Sequence, residues 1–294
     1  MVDLFHAIGF GIVTAAILAL ATVAITMQFS VTSVANFAVG DTMTVSAYAA
    51  VAGGMLVNNL IFQALCAMAA GALISFLLNW GLLAPYARRG AKTTHLLIVT
   101  FAAAVLLESA LGAVVGGQSV LLKLPPSPPN YVGPFIFTGH DEAIIAIAVV
   151  VLASVHVVLR YTKFGKAQRA VADNPALARI TGIASDRVIN LTWAWSGALT
   201  GLAGLVLATQ IGSFDLTLGF SVLLVVFASA IVGGIGQVYG AMLGALMIGV
   251  ATEVSALYLP SNYKQAVAFG VLIVALLLRP QGLIPAPSRR AVRL

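Results

Sequence analysis

The chain has 294 residues, of which 61% are hydrophobic and only 8% are charged. Adding the 28 glycines brings the apolar share to about 70%, against roughly 45–50% in soluble domains. A soluble fold cannot hide so much apolar surface in one core. The composition therefore excludes a soluble enzyme, a disordered protein and a nucleic-acid-binding protein. It leaves a polytopic helical membrane protein, with room for eight to ten spans of about 20 residues.

The sequence offers few groups for metal or nucleotide chemistry. The single cysteine, Cys66, excludes a disulfide within the chain. No histidine pair has the spacing of a zinc-protease motif, and no stretch has the spacing of a P-loop. We therefore expect no metal site, no cofactor and no site of ATP hydrolysis in this chain.

Long runs without charged residues define the predicted spans. Helices are expected because a backbone in lipid must satisfy its own hydrogen bonds, and the runs lack the alternation of a β-barrel. A polar dip from Gln28 to Asn36 separates the first two spans, and Asn58-Asn59 is a turn between the second and third. The predicted spans are residues 6–28, 34–57, 60–83, 95–116, 142–160, 188–211, 218–235, 238–258 and 265–279.

Lysine and arginine residues predict the orientation of these spans. They cluster at Arg88, Arg89 and Lys92, at six positions between Arg160 and Arg187, and at Arg279, Arg289, Arg290 and Arg293. Even numbers of spans separate the clusters, which puts all three, and the C-terminus, on the cytoplasmic side. The net charge of +6 then reflects topology and not binding to nucleic acid. Nine spans place the N-terminus outside, whereas eight spans, with part of 28–45 entering and returning, place it inside.

The predicted outer loop, residues 117–141, is rich in proline. Its prolines are Pro125, Pro126, Pro128, Pro129 and Pro134. Such a segment is stiff and extended, not helical. It can be a surface connector or a contact for an external partner.

The predicted cytoplasmic loop, residues 160–188, contains a short helix with signals at both ends. Asn174 suits the N-cap, Pro175 suits the first helical position, and Gly182 suits the position after the helix. Leu177 and Ile180 share one face. Because isolated helices this short are marginal in water, the element at about 174–182 needs support. A partner protein, the membrane surface or the chain's own bundle could supply it.

Three stretches carry a resemblance to a known family. They are Asn36–Asp41 with Ala47-Tyr48, Thr162–Pro175 with Gly182-Ile183, and Val232–Gly236 through Glu253 to Arg279–Leu283. The chain resembles the permease subunits of high-affinity branched-chain amino-acid ABC transporters, the shorter of that system's two permease types. It departs from the family pattern at Val39 and Asp41, where His and Glu are usual, and at Gln237–Tyr239.

The resemblance implies one permease domain over residues 1–294, an all-α bundle of eight to nine transmembrane helices in the bacterial inner membrane. It implies a second permease subunit, two cytoplasmic ATP-binding subunits that hold ATP and Mg²⁺, a periplasmic substrate-binding protein and membrane lipid as partners. Branched-chain or related amino acids and amides are the implied cargo. The loop helix becomes a coupling helix that transmits the motion of the ATPase, with Asp173, Asn174, Pro175, Leu177, Ile180 and Gly182 as its residues.

Polar groups inside the predicted spans are candidates for the transport path. Asn36, Asp41 and Glu253 either form interhelical hydrogen bonds or line the path, because polar groups in a bilayer face protein or water. A second set, Gly233, Gly236, Gly240 and Gly244, predicts close helix packing, since Tyr239 breaks a dinucleotide fingerprint.

Two other classes of membrane protein compete with the permease. The alternative is a self-contained secondary carrier or channel, which would have two similar halves with broken helices, and no convincing repeat is visible. A membrane-embedded enzyme is disfavoured because no His/Glu or Ser/His constellation is present.

Overall fold

The computed structural model describes residues 2–57, 59–122, 127–133 and 135–284. Helices account for most of this part of the chain. They are α1 (Val2–Thr32), α2 (Val39–Leu56), α3 (Leu60–Leu77), which runs through a π-helical stretch (Leu78–Leu83) into α4 (Ala84–Arg88), α5 (Thr93–Val115), α6 (Gly139–Tyr161), α7 (Lys163–Asp173), α8 (Pro175–Ile180), α9 (Ser185–Ile211), α10 (Leu218–Gly233), α11 (Val238–Ser255) and α12 (Lys264–Leu278).

The all-α membrane architecture predicted from composition is confirmed, and each of the nine predicted segments contains a helix. Among the described residues, seven helices are long and apolar enough to cross a membrane and α10 is a shorter apolar helix, which makes seven to eight spans against the eight to nine predicted. Two of the nine predicted segments are not among the seven. Helix α10, in segment 218–235, is short, and α2, in segment 34–57, is less apolar and buries most of its residues inside the protein. A helix shielded from lipid can carry the polar residues that lower its hydropathy.

Two helices form the centre of the bundle. The apolar windows of α1 and α9 are 72% and 78% buried, whereas those of α3, α5, α6 and α12 are mostly exposed. Helix α1 packs chiefly on α11, and α9 packs on α3 and α2. The outer helices therefore present apolar faces to lipid or to another subunit, as expected of a membrane protein.

The α3–α9 contact depends on glycines. A Cβ atom at Gly201 would overlap the carbonyl oxygen of Ala67, and one at Gly71 would overlap the carbonyl of Gly197. The two backbones thus approach to a distance that no side chain allows, the packing mode of small residues in membrane helices. Helices α3 and α9 are locked together over this stretch.

The described part of the proline-rich segment 117–141 contains strands that were not predicted. Strands β2 (Pro129–Val132) and β3 (Phe135–Thr138) form an antiparallel hairpin, and β1 (Val120–Leu121) pairs with β4 (Ser213–Phe214). The prolines at 125, 126 and 134, like Asn58 of the predicted turn, lie outside the described residues.

The first turn of α6 already lies within the predicted loop. The Thr138 side chain accepts a hydrogen bond from the amide of Asp141, whose carboxylate accepts one from the amide of Thr138 in return. This reciprocal capping starts the helix at Gly139 and not at residue 142. Close by, the ring of Phe135 contacts Phe5, which places the start of α1 at the same end of the bundle.

The end of α10 and the start of α11 meet the last described segment. The amides of Leu283 and Ile284 donate to the carbonyls of Val232 and Gly233, at 2.9 and 3.1 Å. Those carbonyls belong to the last turn of α10 and have no partner within the helix. The segment therefore caps α10. The arginines at 289, 290 and 293 lie outside the described residues.

Candidate coupling and transport sites

The predicted coupling helix is present as α8, with Asn174 as its N-cap. The Asn174 side-chain oxygen accepts hydrogen bonds from the amides of Ala176 and Leu177, at 3.1 and 3.0 Å. Pro175 occupies the first helical position, and Gly182 has a φ of +86° just beyond the helix. The local signals at both ends of α8 therefore act as their residue types predict.

Helix α8 is held to the bundle by one face only. Ala178 is 3% exposed and packs with Val171 of α7 and Val188 of α9. The Ser185 hydroxyl donates to the carbonyl of Pro175 at 3.2 Å. The support that so short a helix needs thus comes in part from its own chain.

The opposite face of α8 is open. The side chains of Leu177 and Ile180 are 58% and 83% exposed, although both are large and apolar. Asp173, the last residue of α7, is exposed as well. Leu177 and Ile180 form a small apolar projection, which we call the α8 knob, at the end of the bundle that carries Arg88 and Asp186.

Helix α7, which precedes α8, was not predicted. Thr162 caps it by accepting a hydrogen bond from the amide of Gly165 at 3.1 Å. Gly165, Gln168 and Val171 are buried at a spacing of three residues, while Lys163 and Lys166 are exposed. A threonine N-cap followed by this amphipathic spacing could have revealed the helix.

Asn36 lies in the break between α1 and α2. Its amide nitrogen donates to the side-chain oxygen of Gln28 at 2.9 Å, and its own oxygen accepts from the amide of Ala38 at 3.0 Å. The hydroxyl of Thr100 on α5 donates to the carbonyl of Leu97 in its own helix at 2.8 Å and accepts from the amide of Phe37 at 3.4 Å, with the carbonyl of Ala35 also 3.4 Å away. Asn36 and Thr100 thus provide partners for backbone groups that the interrupted helix leaves open.

Asp41 lies in the first turn of α2 and is 3% exposed. An acidic side chain is favourable there, because the start of a helix carries a partial positive charge. Its carboxylate is near enough to that of Glu108, on α5, for the two to interact electrostatically. Asn36 thus lies in the break itself, and Asp41 lies in the first turn of the helix that follows it.

Glu253 lies apart from them, near the end of α11. Its carboxylate forms an ion pair with Lys264 of α12, at 2.7 and 2.8 Å, and accepts a hydrogen bond from Thr14 of α1 at 3.0 Å. The Glu253 and Lys264 side chains are 17% and 35% exposed. The carboxylate therefore joins three helices, through a lysine that the sequence analysis did not connect with it.

Replacing Glu253 by glutamine should destabilise the protein more than the double replacement of Glu253 and Lys264 by glutamine. The single change leaves the Lys264 charge half-buried without its partner, which we expect to cost about 1–3 kcal/mol. Thermal unfolding of the purified protein in detergent measures the order of the three variants. Equal stability of the single variant and the wild type would contradict the interhelical role.

The four glycines of the α10–α11 region have two different roles. A Cβ atom at Gly233, Gly240 or Gly244 would overlap a backbone carbonyl of the facing helix. Gly236 differs, since it has a φ of +91° and open space around its Cβ position. Its need for glycine is conformational and belongs to the turn, so helix packing describes the other three.

The main cleft in the described part of the chain lies elsewhere. It has a volume of about 970 Å³ and opens between α2, α3, α6 and α9, near β1. Its lining is aliphatic apart from Gln63, His140 and Thr209. None of the three predicted path residues, Asn36, Asp41 and Glu253, lines it.

The two ends of the bundle differ in their charged groups. Near β4, Asp215 accepts hydrogen bonds from the hydroxyl and the amide of Thr217, at 2.7 and 2.9 Å, and these bonds lower the pKa of its carboxyl group. At the opposite end, where α9 begins, Arg88 and Arg179 both pair with Asp186. Among the described residues, no group of three or more His, Cys, Asp or Glu side chains is placed to hold a metal ion.

Comparison with known proteins gives a match over almost the whole chain. Residues 7–276 match the family model described as the permease component of the branched-chain amino acid transport system. The chain belongs to this family. The match confirms the predicted permease subunit of an ABC importer, and the bundle described above is the fold of a multi-pass transport permease.

Individual relatives align with the permease from end to end. It is 28% identical to the high-affinity branched-chain amino acid transport system permease protein LivH of Escherichia coli K12, over 95% of this chain and 94% of that protein. The corresponding protein BraD of Pseudomonas aeruginosa is 28% identical over the same shares. A probable LivH of Methanocaldococcus jannaschii is 27% identical over 95% of this chain and 91% of that protein. No solved structure gives a significant match.

Proposed function

We propose that this permease forms half of the membrane channel of a binding-protein-dependent importer for branched-chain or related amino acids. A second permease subunit forms the other half, two cytoplasmic ATPase subunits supply the energy with ATP and Mg²⁺, and a periplasmic protein delivers the substrate. The whole chain is one permease domain of the inner membrane, with its C-terminus in the cytoplasm. The cargo follows from the names of relatives that align over 95% of the chain.

The α8 knob is the observation that carries the proposal. Two large apolar side chains are exposed at the end of the bundle that bears the basic clusters, on a helix that Ala178 anchors from behind. Exposed apolar anchors on a rigid support are typical of a protein-binding surface. The ATPase subunit covers them, so that its closing motion moves α8 and with it α7 and α9.

The break between α1 and α2 is the proposed constriction of the path. Asn36 and Asp41 bring polar groups into the bundle, where a bare charge costs about 2.5–3.5 kcal/mol and is kept only near protein or water. Glu253, which the ion pair with Lys264 occupies, supports the outer ends of α1, α11 and α12.

Site-directed crosslinking tests the coupling role of α8. The native cysteine is first replaced, Cys66→Ala, and a cysteine is introduced as Leu177→Cys in a complex whose ATPase carries cysteines in its membrane-facing groove. We expect a crosslink with Leu177→Cys and none with Ala178→Cys, because Ala178 faces the bundle.

A result of the opposite kind would overturn the proposal. If Leu177→Cys never crosslinks to the ATPase in an assembled complex, α8 is not the coupling helix. If the purified permease alone accumulates substrate against a gradient in liposomes, the protein is a self-contained carrier.

A further inference from the structure

The carboxylate of Asp186 is shared by two arginines from distant parts of the chain. Its Oδ1 atom lies 2.8 Å from Arg179 Nη2, on α8, and its Oδ2 atom lies 3.1 Å from Arg88 Nη2, at the end of α4. Asp186 itself is in the first turn of α9. One side chain thus connects three helices, and both of its oxygens are used.

These ion pairs contribute little to stability. The three side chains are 51% to 66% exposed, and exposed pairs are typically worth less than about 1 kcal/mol. Their effect is on the relative positions of the three helices. Without the carboxylate between them, the two guanidinium groups would repel each other, and α4 would lose its ion pair with α9 and, with it, the indirect connection to α8.

An irregular stretch of helix directly precedes α4, the helix that carries Arg88. Between α3 and α4 the backbone follows a π-helical stretch, Leu78–Leu83, a rare form that is common at functional sites. Asn79, within this stretch and 1% exposed, donates to the side-chain oxygen of Asn190 on α9 at 2.6 Å. Farther along, Gly71 and Gly201 lock α3 to α9. The π-helical stretch therefore separates α3, which is tightly packed on α9, from the short helix α4.

Helix α4 is connected through α5 to the proposed constriction. Helix α4 is followed by α5, which carries Thr100, and Thr100 is connected to the break between α1 and α2 by the hydrogen bond that it accepts from the amide of Phe37. A displacement of α8 can thus reach the break by way of Asp186, Arg88 and α5. A second connection runs from α8 along the chain into α9, and from α9 to α3, which is tightly packed on it.

We propose that Asp186 is a positioning residue that ties the coupling helix to α4, with the π-helical stretch as the hinge on which α4 and the start of α5 move. This proposal rests on the proposed function, because it needs α8 to be moved by an ATPase. Asp186 touches neither substrate nor nucleotide, and its role is to make the motion of α8 open the path.

The test uses the assembled importer in proteoliposomes and measures the number of substrate molecules transported per ATP hydrolysed. We expect Asp186→Asn, Arg88→Gln and the double variant each to lower this ratio about fivefold or more, the lower end of typical coupling free energies. The double variant should be no worse than either single variant, since both remove one connection. Arg88→Lys should recover most of the ratio.

Arg89→Gln is the matched control. Arg89 is an exposed neighbour of Arg88 that makes no ion pair within 4 Å in the described part of the chain. It should leave the ratio unchanged. Should Asp186→Asn fail to assemble, Arg88→Gln and the charge-reversing Arg88→Glu carry the test, because they alter an exposed side chain.

The crosslink of Leu177→Cys to the ATPase, measured in each variant, separates the two proposals. If the crosslink is preserved and the ratio of transport to ATP hydrolysis is unchanged, the role of Asp186 is overturned and the proposed function stands. The role of Asp186 is also overturned if the losses in this ratio from the two single variants add up in the double variant. A missing crosslink in the otherwise unaltered complex overturns the proposed function.

Discussion

Replacing Gly201 by leucine should prevent the helical bundle from forming a stable structure. The Cβ position of Gly201 overlaps the carbonyl of Ala67, so the new side chain meets backbone and cannot turn aside. Overpacking a membrane-protein interior costs about 1–3 kcal/mol where side chains can shift, and here α3 and α9 must separate. We therefore expect a loss of at least about 3 kcal/mol, a large fraction of the total stability of a typical domain.

Fluorescence-detected size-exclusion chromatography and thermal unfolding in detergent measure this loss. Gly270→Leu is the matched control, because Gly270 is also in a helix, α12, and has no atom within 4 Å of its Cβ position. The control should yield a monodisperse protein with the unfolding temperature of the wild type. A Gly201→Leu variant that behaves in the same way would show that α3 and α9 do not cross as closely as described.

Introducing aspartate at both residues of the α8 knob should abolish transport while the permease stays folded. Leu177 and Ile180 are 58% and 83% exposed, so a charge there costs the isolated permease little. In the complex the same charges would be buried in the ATPase groove without partners. Loss of an apolar anchor at the centre of an interface costs about 2 kcal/mol or more, roughly thirtyfold in affinity for each residue.

The measurements are co-purification of the ATPase and substrate uptake in proteoliposomes. Tyr258→Asp provides the control, since Tyr258 is 82% exposed and follows α11 at the other end of the bundle. That variant should retain the ATPase. Full uptake by the doubly substituted permease would exclude α8 from the interface, whatever the crosslinking shows.

The elements that the sequence predicted are those that follow local rules. Charge-free runs identify membrane helices because a buried backbone in lipid has few alternatives to the helix. Asn174, Pro175 and Gly182 define α8 because capping depends on residue types a few positions apart. The permease family followed from motifs that keep their spacing along the chain.

The features that escaped prediction depend on residues far apart in the sequence. Glu253 was grouped with Asn36 and Asp41 as a polar residue inside the predicted spans, but its pairing with Lys264 depends on how α11 and α12 pack against each other. The ion pair of Arg88 with Asp186 joins positions 98 residues apart. The π-helical stretch Leu78–Leu83 was not predicted either, and the hydrogen bond from its Asn79 to Asn190 joins positions 111 residues apart.

Gly236 shows a subtler limit. Its spacing from Gly240 and Gly244 fits a helix-packing stripe, although the predicted spans 218–235 and 238–258 already put a break close to it, and the structure has that break between Gly233 and Val238. Three of the four glycines lie at the crossing of α10 and α11, and Gly236 serves the turn between the two helices. Periodicity identifies a stripe reliably only where the helix is continuous.

The cap that Leu283 and Ile284 place on α10 has a practical consequence for expression work. Their amides replace the hydrogen bonds that the last turn of α10 lacks, so residues 281–284 are part of the folded bundle and not a trailing tail. Shortened variants for crystallisation or cryo-electron microscopy should keep Leu283 and Ile284, and a fusion partner or affinity tag should not be joined within this segment.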